Sequence, residues 1–324
     1  MLMSRSQKYF GLVPGFDPPQ GSTVRDPQEQ EYGYWVGAPS VTYDPVTALF
    51  YLAYRIRVRK DRGRGIACGL AESRDGVSFT DIAQVTRESL DSASIEKSAL
   101  FQVGPTQYRL YISYVDSSTN QWRIDMMEAD SPHHVNAATR VKILTGEDVG
   151  TEGIKDPTVF RIGATTYLFA QCLPNREKVD PRTLHATEDG FAIGLTRVES
   201  RVFRSTDGVH FTPTGGVLTP SETGWDSLSR RVTTVIPAHH GYLVCYDGKR
   251  TPAESYEEQC GLAWTSDFRN FEIISAEAPQ YSSPYASGAL RYVDAIWVGQ
   301  RLYYYYEMAE PSQAHSLKVA IVEG

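Results

Sequence analysis

The sequence predicts an all-β protein, a five-bladed β-propeller with four antiparallel strands per blade, on three observations. The first is a recurring turn. Ser73-Arg74-Asp75-Gly76-Val77-Ser78-Phe79 returns as Ser205-Thr206-Asp207-Gly208-Val209-His210-Phe211, with a degenerate copy at Thr265-Ser266-Asp267-Phe268-Arg269-Asn270-Phe271. In such a turn Ser and Asp bond the local backbone, Gly supplies the positive φ, and Phe returns to the core. The second is a layout repeated five times: an apolar strand, a short turn, an aromatic strand and a variable loop leading to a third strand. The third is composition, since 20 Tyr, 12 Phe and 5 Trp make up 11% of the chain beside 26 Gly and 18 Pro. That mixture suits short strands and tight turns better than long helices.

The elements follow in order. Residues 1–31, with Pro14, Pro18, Pro19 and Pro27, read as an irregular N-terminal arm that closes the ring, and 32–324 as one propeller domain. Blade one runs from about Tyr32 to Gln84, its aromatic strand being Leu49–Tyr54 after the turn at Asp44-Pro45. Blade two spans about Ile95 to Val141, with Tyr108–Tyr114 as second strand. Blade three, about Ile154 to Gly216, pairs Pro157–Phe160 with Thr166–Ala170. Blade four, about Ser229 to Ile274, turns at His240-Gly241, and blade five, about Leu290 to Val322, turns at Gly299 into Leu302–Tyr306. Five units in 324 residues is about 65 residues each, longer than a WD40 repeat at ~40–45. Regular hairpin units sharing one turn argue against a β-sandwich.

Charge and apolar patterning exclude other classes. With 32 basic and 39 acidic residues the net charge is −7, and phosphate neutralisation by a nucleic-acid binder needs the opposite sign. No apolar run reaches the ~18 residues of a membrane span, and Met1–Pro14 has no continuous apolar segment of a secretory signal. Cys68, Cys172, Cys245 and Cys260 form no C-x-x-C pair, so they read as reduced, partly buried thiols of a cytoplasmic protein. No cofactor motif occurs, and no His/Cys cluster demands a metal.

In a propeller the entries to the first strands and the ends of the second strands surround one end of the axis. The entries carry Trp35, Glu96-Lys97, Lys155-Asp156, Arg230-Arg231 and Arg291; the ends carry Tyr54-Arg55, Asp116, Asp247 and Glu307, with His315 in the last such loop. An acidic chain thus gathers carboxylates and cations at one place. Paired carboxylates are what glycosidic cleavage requires, and neighbouring cations keep one ionised and hold an anionic substrate group. Trp35 and Tyr54 offer faces for sugar rings. The plainer readings are strand capping by Asp156, a solvated Glu96–Lys97 pair, and outward orientation of Arg230 or Arg231, because adjacent strand residues face opposite ways. His133-His134 and His239-His240 fall at turns away from this end, while His185 and Glu188 belong to a long third-blade loop that either covers the pocket or wanders.

Five blades, Lys155-Asp156-Pro157 before an apolar strand and the Ser-x-Asp-Gly-x-x-Phe turns resemble the five-bladed propeller glycosidases of families 43, 32, 62, 117 and 130. Blade one, with Tyr51-Leu-Ala-Tyr-Arg55 and Gly69-Leu-Ala-Glu-Ser-Arg-Asp-Gly76, is most similar to family 130. The resemblance implies a glycoside hydrolase that removes a terminal sugar from a small, anionic saccharide with inversion, Glu96, Asp156 and Glu307 serving as acid, base and tuning carboxylates. Trp35, Tyr54, Arg55, Lys97, Asp116, Arg230, Asp247, Arg291 and His315 would bind the substrate. This chain departs from the families: Gly37-Ala38-Pro39 stands where family 43 has a general base, Ser229-Arg230-Arg231 where it has a general acid, and Lys97 where family 130 has an aspartate. Phosphorolysis and sugar binding without catalysis are therefore alternatives.

Overall fold

The computed structural model describes residues 13–252 and 256–324. The chain folds into antiparallel meanders: three separate four-stranded sheets and one eight-stranded sheet. The first unit consists of Trp35–Asp44, Leu49–Arg57, Gly65–Ser73 and Thr80–Thr86, the second of Ile95–Gly104, Gln107–Val115, Trp122–Ala129 and Val141–Leu144. The third contains Ile154–Ile162, Thr165–Cys172, Glu199–Ser205 and Thr212–Leu218; the fourth contains Ser229–Ala238, Gly241–Lys249, Gln259–Thr265 and Glu272–Ile273. The last contributes Leu290–Val298, Arg301–Ala309 and His315–Glu323. A parallel bridge between Trp35 and His315 joins first and last units into the eight-stranded sheet.

The expected irregular arm is only partly irregular. Ser22–Arg25 pairs antiparallel with His315–Glu323 and becomes the outer strand of the last unit, so both ends of the chain share one sheet. Before it, Phe16 stacks on Tyr304 at 4.5 Å, and the Tyr304 and Tyr306 hydroxyls donate to Pro14 O and Pro18 O.

The repeated turn forms as its residues dictate. Asp75 Oδ1 accepts from the amides of Val77 and Ser78 at 2.8 Å each, Ser73 Oγ accepts from Gly76 N, and Gly76 has φ +73°. Asp207 and Asp267 repeat the pattern, with Phe268 at φ +56° in place of glycine. The turn also docks onto the neighbouring unit. The Tyr305 hydroxyl donates to Gly76 O and the Tyr111 hydroxyl to Gly208 O, both at 2.7 Å. The aromatic surplus is thereby explained, since second-strand tyrosines fill the interfaces between sheets and satisfy turn carbonyls there. All four cysteines are free and buried, and burial pushes the Cys68 thiol up to about 11. Among the described residues no helix is long and apolar enough to cross a membrane.

Candidate functional site

The inner strands are interrupted at one common level. Register shifts fall between Gly37 and Ser40, Ile95 and Ser98, Lys155 and Thr158, Val232 and Thr234, and Arg291 and Asp294. A bulge re-aims side chains, and here it presents Glu96, Asp156 and Tyr292 to the space that the sheets enclose. Ala38, Asp156 and Tyr292 sit at φ +48°, +54° and +54°, a strained region for a residue as bulky as tyrosine.

Tyr292 is the hub. Its hydroxyl meets Arg231 Nη1 at 2.9 Å, Glu96 Oε2 at 3.1 Å and Arg55 Nη1 at 3.3 Å, and the Arg231 guanidinium lies 3.7 Å from its ring centroid. Three arginines radiate from it. Arg55 bridges Glu96 and Glu307. Both carboxylates bond one guanidinium, so their nearest oxygens lie within about 8 Å of each other. Arg231 forks onto Asp247 at 2.6 and 3.1 Å and reaches Asp156 at 3.1 Å. Arg291 binds Glu307 at 2.8 Å and Glu258 at 2.6 Å. His315 Nδ1 is 2.8 Å from Glu307 Oε1, and its ring stacks on Trp35.

Opposed forces set the protonation states. Burial alone would raise Glu307 and Glu96, but Arg291 and Arg55 hold Glu307 well below its ordinary range, and Arg55, Lys155 and Arg57 do the same for Glu96. Glu258 is likewise lowered by Arg231 and Arg291 against burial. Asp247 goes the other way: burial prevails over Arg231 and lifts it to about 6. Burial lowers Lys249 to about 8 and His315 to about 4.

A roof covers the cluster. The segment between Cys172 and Glu199 folds back so that Asp189, Phe191 and Ala192 line the cavity, and Arg64 from the first unit meets Asp189 at 3.3 Å. Lys249 Nζ donates to Phe191 O, Lys155 Nζ lies 4.9 Å from the Phe191 ring, and the Tyr256 hydroxyl donates to Asp189. The long third-unit loop therefore covers the site. Beneath it remains a cavity with about 20 Å³ open to the centre of a water molecule, room for about one water. Glu96, Glu258 and Asp189 are its carboxylates; Arg55, Lys155, Arg231, Lys249 and Arg291 are its cations.

The sequence candidates distribute unevenly. Arg55, Glu96 and Arg291 line the cavity. Asp156, Asp247, Glu307, His315 and Trp35 are in the cluster but behind that lining, and Trp35, 1% exposed beneath Arg57 and Arg291, has no free face for a sugar. Four candidates lie elsewhere. The Tyr54 hydroxyl donates to Asp81 within the packing of the first unit. Asp116 pairs with Arg123 in a separate polar groove of the second unit. Arg230 faces away from Arg231 along the strand and binds Asp226 at 2.7 Å. Lys97 points opposite to Glu96, donating to Pro157 O beside a cavity further along the inner strands. Alternation along an extended chain explains the last two. Glu258, Tyr292, Asp189 and Tyr256 were missed. Glu258 precedes a third strand and the others lie in a bulge or in loops, where no periodicity marks them. Among the described residues no group of three or more His, Cys, Asp or Glu could hold a metal ion.

No family model and no curated protein matches the chain. Solved structures do. An RGII complex of BT0996 aligns at 12% identity over 99% of this chain and 95% of that one, with a TM-score of 0.71. A thermostable family-43 glycoside hydrolase aligns at 12% identity over 92% of each chain, TM-score 0.62. The β-1,2-mannobiose phosphorylase of Listeria innocua aligns at 14% identity over 94% of each chain, TM-score 0.59. At such identities the likeness is one of fold: this chain has the fold of the propeller-type glycoside hydrolases along nearly its whole length.

Proposed function

We propose that the sheets are the blades of a five-bladed propeller and that the roofed cluster cleaves the terminal glycosidic bond of a small saccharide. The observation that carries this reading is Glu96 and Glu258 lining one arginine-walled cavity in a fold shared with glycoside hydrolases and a phosphorylase. Glu96 and Glu258 are the reacting carboxylates. Asp156, Asp247 and Glu307 stand behind them and hold Arg231, Arg55 and Arg291 in place. Inversion is the outcome this reading takes, and it requires Glu96 and Glu258 to stand about 6.5–9.5 Å apart across the attacking water in the open protein. Saccharide entry requires the 174–198 segment to lift, because about 20 Å³ does not admit a sugar ring.

A second reading has an observation in its favour. Arginines lower both Glu96 and Glu258, so neither is a general acid until a ligand draws those arginines away. A site left in that condition binds sugar without turnover. The deciding experiment is a broad panel of glycosides and oligosaccharides, assayed with and without inorganic phosphate. Release of a terminal sugar with inverted anomeric configuration supports hydrolysis, and strict dependence on phosphate supports phosphorolysis. Saturable binding with no product across the panel would sink catalysis.

A further inference from the structure

We propose that Arg64, Lys155, Lys249 and Tyr256 form a seat for the carboxylate of a uronic-acid sugar, and that Asp189 occupies this seat in the closed protein. The inference rests on the glycoside-cleaving reading and names its substrate class. Asp189 is 4% exposed and faces three cations, yet it fits them poorly. Arg64 Nη1 is 3.3 Å from Asp189 Oδ2 but makes no hydrogen bond, Lys155 Nζ stands 4.0 Å from Asp189 Oδ1, and Asp189 Oδ1 has no hydrogen-bond partner. The Tyr256 hydroxyl reaches Asp189 Oδ2 at 3.4 Å.

The same cluster contains a well-made ion pair for contrast. Arg231 forks onto Asp247 with two bonds of 2.6 and 3.1 Å. A latch selected only to hold the roof down would be expected to look like that pair, because a buried charge is costly unless it is fully bonded. Asp189 instead leaves a guanidinium nitrogen and a carboxylate oxygen without partners. Arg64 and Lys155 both stand within 4.0 Å of its carboxylate without bonding it, and the Lys249 ammonium beside them is lowered by burial. A planar carboxylate is what the seat now holds, so a planar carboxylate is what it takes when the roof lifts and Asp189 leaves with it. Lys155, Lys249 and Tyr256 line the same cavity as Glu96 and Glu258. An acid group seated there would place its own ring beside those two carboxylates. Ligand and roof compete for one seat, so anion binding and opening are a single equilibrium.

The test measures binding and needs no turnover. Melting temperature and calorimetric titration are recorded at fixed ionic strength for the wild type, Asp189→Asn and Lys155→Met, with D-glucuronate, D-galacturonate, D-glucose and inorganic phosphate as probes. Removing the internal competitor should tighten uronate binding about tenfold in Asp189→Asn, while Lys155→Met should weaken it about tenfold; glucose should produce no shift. The proposal is overturned if Asp189→Asn binds uronates no more tightly than the wild type, if phosphate binds as tightly as the uronates, or if neither anion binds. Should Asp189→Asn not fold, wild type against Lys155→Met decides alone. A failure here leaves the cleavage reading standing, and an empty glycoside panel leaves uronate binding standing.

Discussion

The same inner strands line two cavities that differ in almost every property. At the roofed end Arg55, Arg231 and Arg291 interlock with Glu96, Asp156, Asp247, Glu258 and Glu307 around Tyr292. A few residues further along, a cavity of about 110 Å³ is walled by Val41, Leu100, Phe101, Val159, Phe160 and Ile296 together with Ser40, Thr42, Thr158 and Thr234. Its charged residues are Lys97 and Asp294, each shifted by burial towards neutrality. The bulges separate the two regions. Above them side chains are re-aimed and charged; below them regular alternation places apolar residues inward. Strand geometry alone does not make a site here. The interruptions of it do, and their strained φ values are maintained by the ionic cluster they support.

If the ion pairs of the roofed cluster depend on one another, breaking one member should do far more damage than at the other end. Glu307→Gln leaves Arg55, Arg291 and His315 facing a neutral amide, and urea unfolding should register a loss of about 3–5 kcal/mol. A loss below about 1 kcal/mol would mean that the cluster is loosely held.

The next difference depends on pH. His315 is buried neutral with its pKa lowered to about 4 from 6.5. Between those values the unfolded chain takes up a proton that the folded chain refuses, so stability falls as pH drops from about 6.5 to 4. The contribution is up to about 3 kcal/mol. Asp247, raised to about 6 from 3.8, works in the opposite direction, because the folded state gains the proton first and is relatively stabilised as pH falls through that window. The two oppose each other in the wild type, and the lowered carboxyls of Glu96, Glu258 and Glu307 act in the same direction as His315. His315→Gln should therefore lose less stability than the wild type between pH 6.5 and pH 4 by calorimetry, and a wild-type-like pH profile would contradict the assignment.

At the other end the expectation reverses. Lys97→Met combined with Asp294→Asn removes two shifted charges from that cavity, and the double variant should match or exceed wild-type stability, by up to about 1–4 kcal/mol. Each single variant should be less stable than the double. The smallest effect belongs to the surface: Asp75→Ala removes three turn hydrogen bonds and should cost about 1 kcal/mol.

That ranking parallels what was legible in the residues alone. The turns around Asp75, Asp207 and Asp267 are local, so residue identity specifies them. The strand layout was legible for the same reason. The axial end was legible as a place, because strand entries and second-strand ends converge there in any propeller, and of the residues so singled out Arg55, Glu96 and Arg291 line the cavity. Side-chain direction was not legible at the bulges: two residues opposing one make the alternation ambiguous, and Lys97 and Tyr292 were assigned or overlooked accordingly. Nor could sequence bring Asp189 or Tyr256 to the cavity, since long loops carry no periodicity. The strand Ser22–Arg25 was hidden in a proline-rich arm whose partner lies at the far end of the chain.

The central claim is that reaction takes place at the roofed end. Its most direct test is the turnover number of Glu96→Gln beside that of Asp294→Asn, on whichever glycoside the panel identifies. Loss of an acid or base carboxylate should lower kcat by about 10²–10⁴-fold in Glu96→Gln, with Asp294→Asn remaining within about twofold of wild type. Undiminished turnover in Glu96→Gln, with the loss falling on Asp294→Asn, would place the chemistry at the other end and contradict the claim.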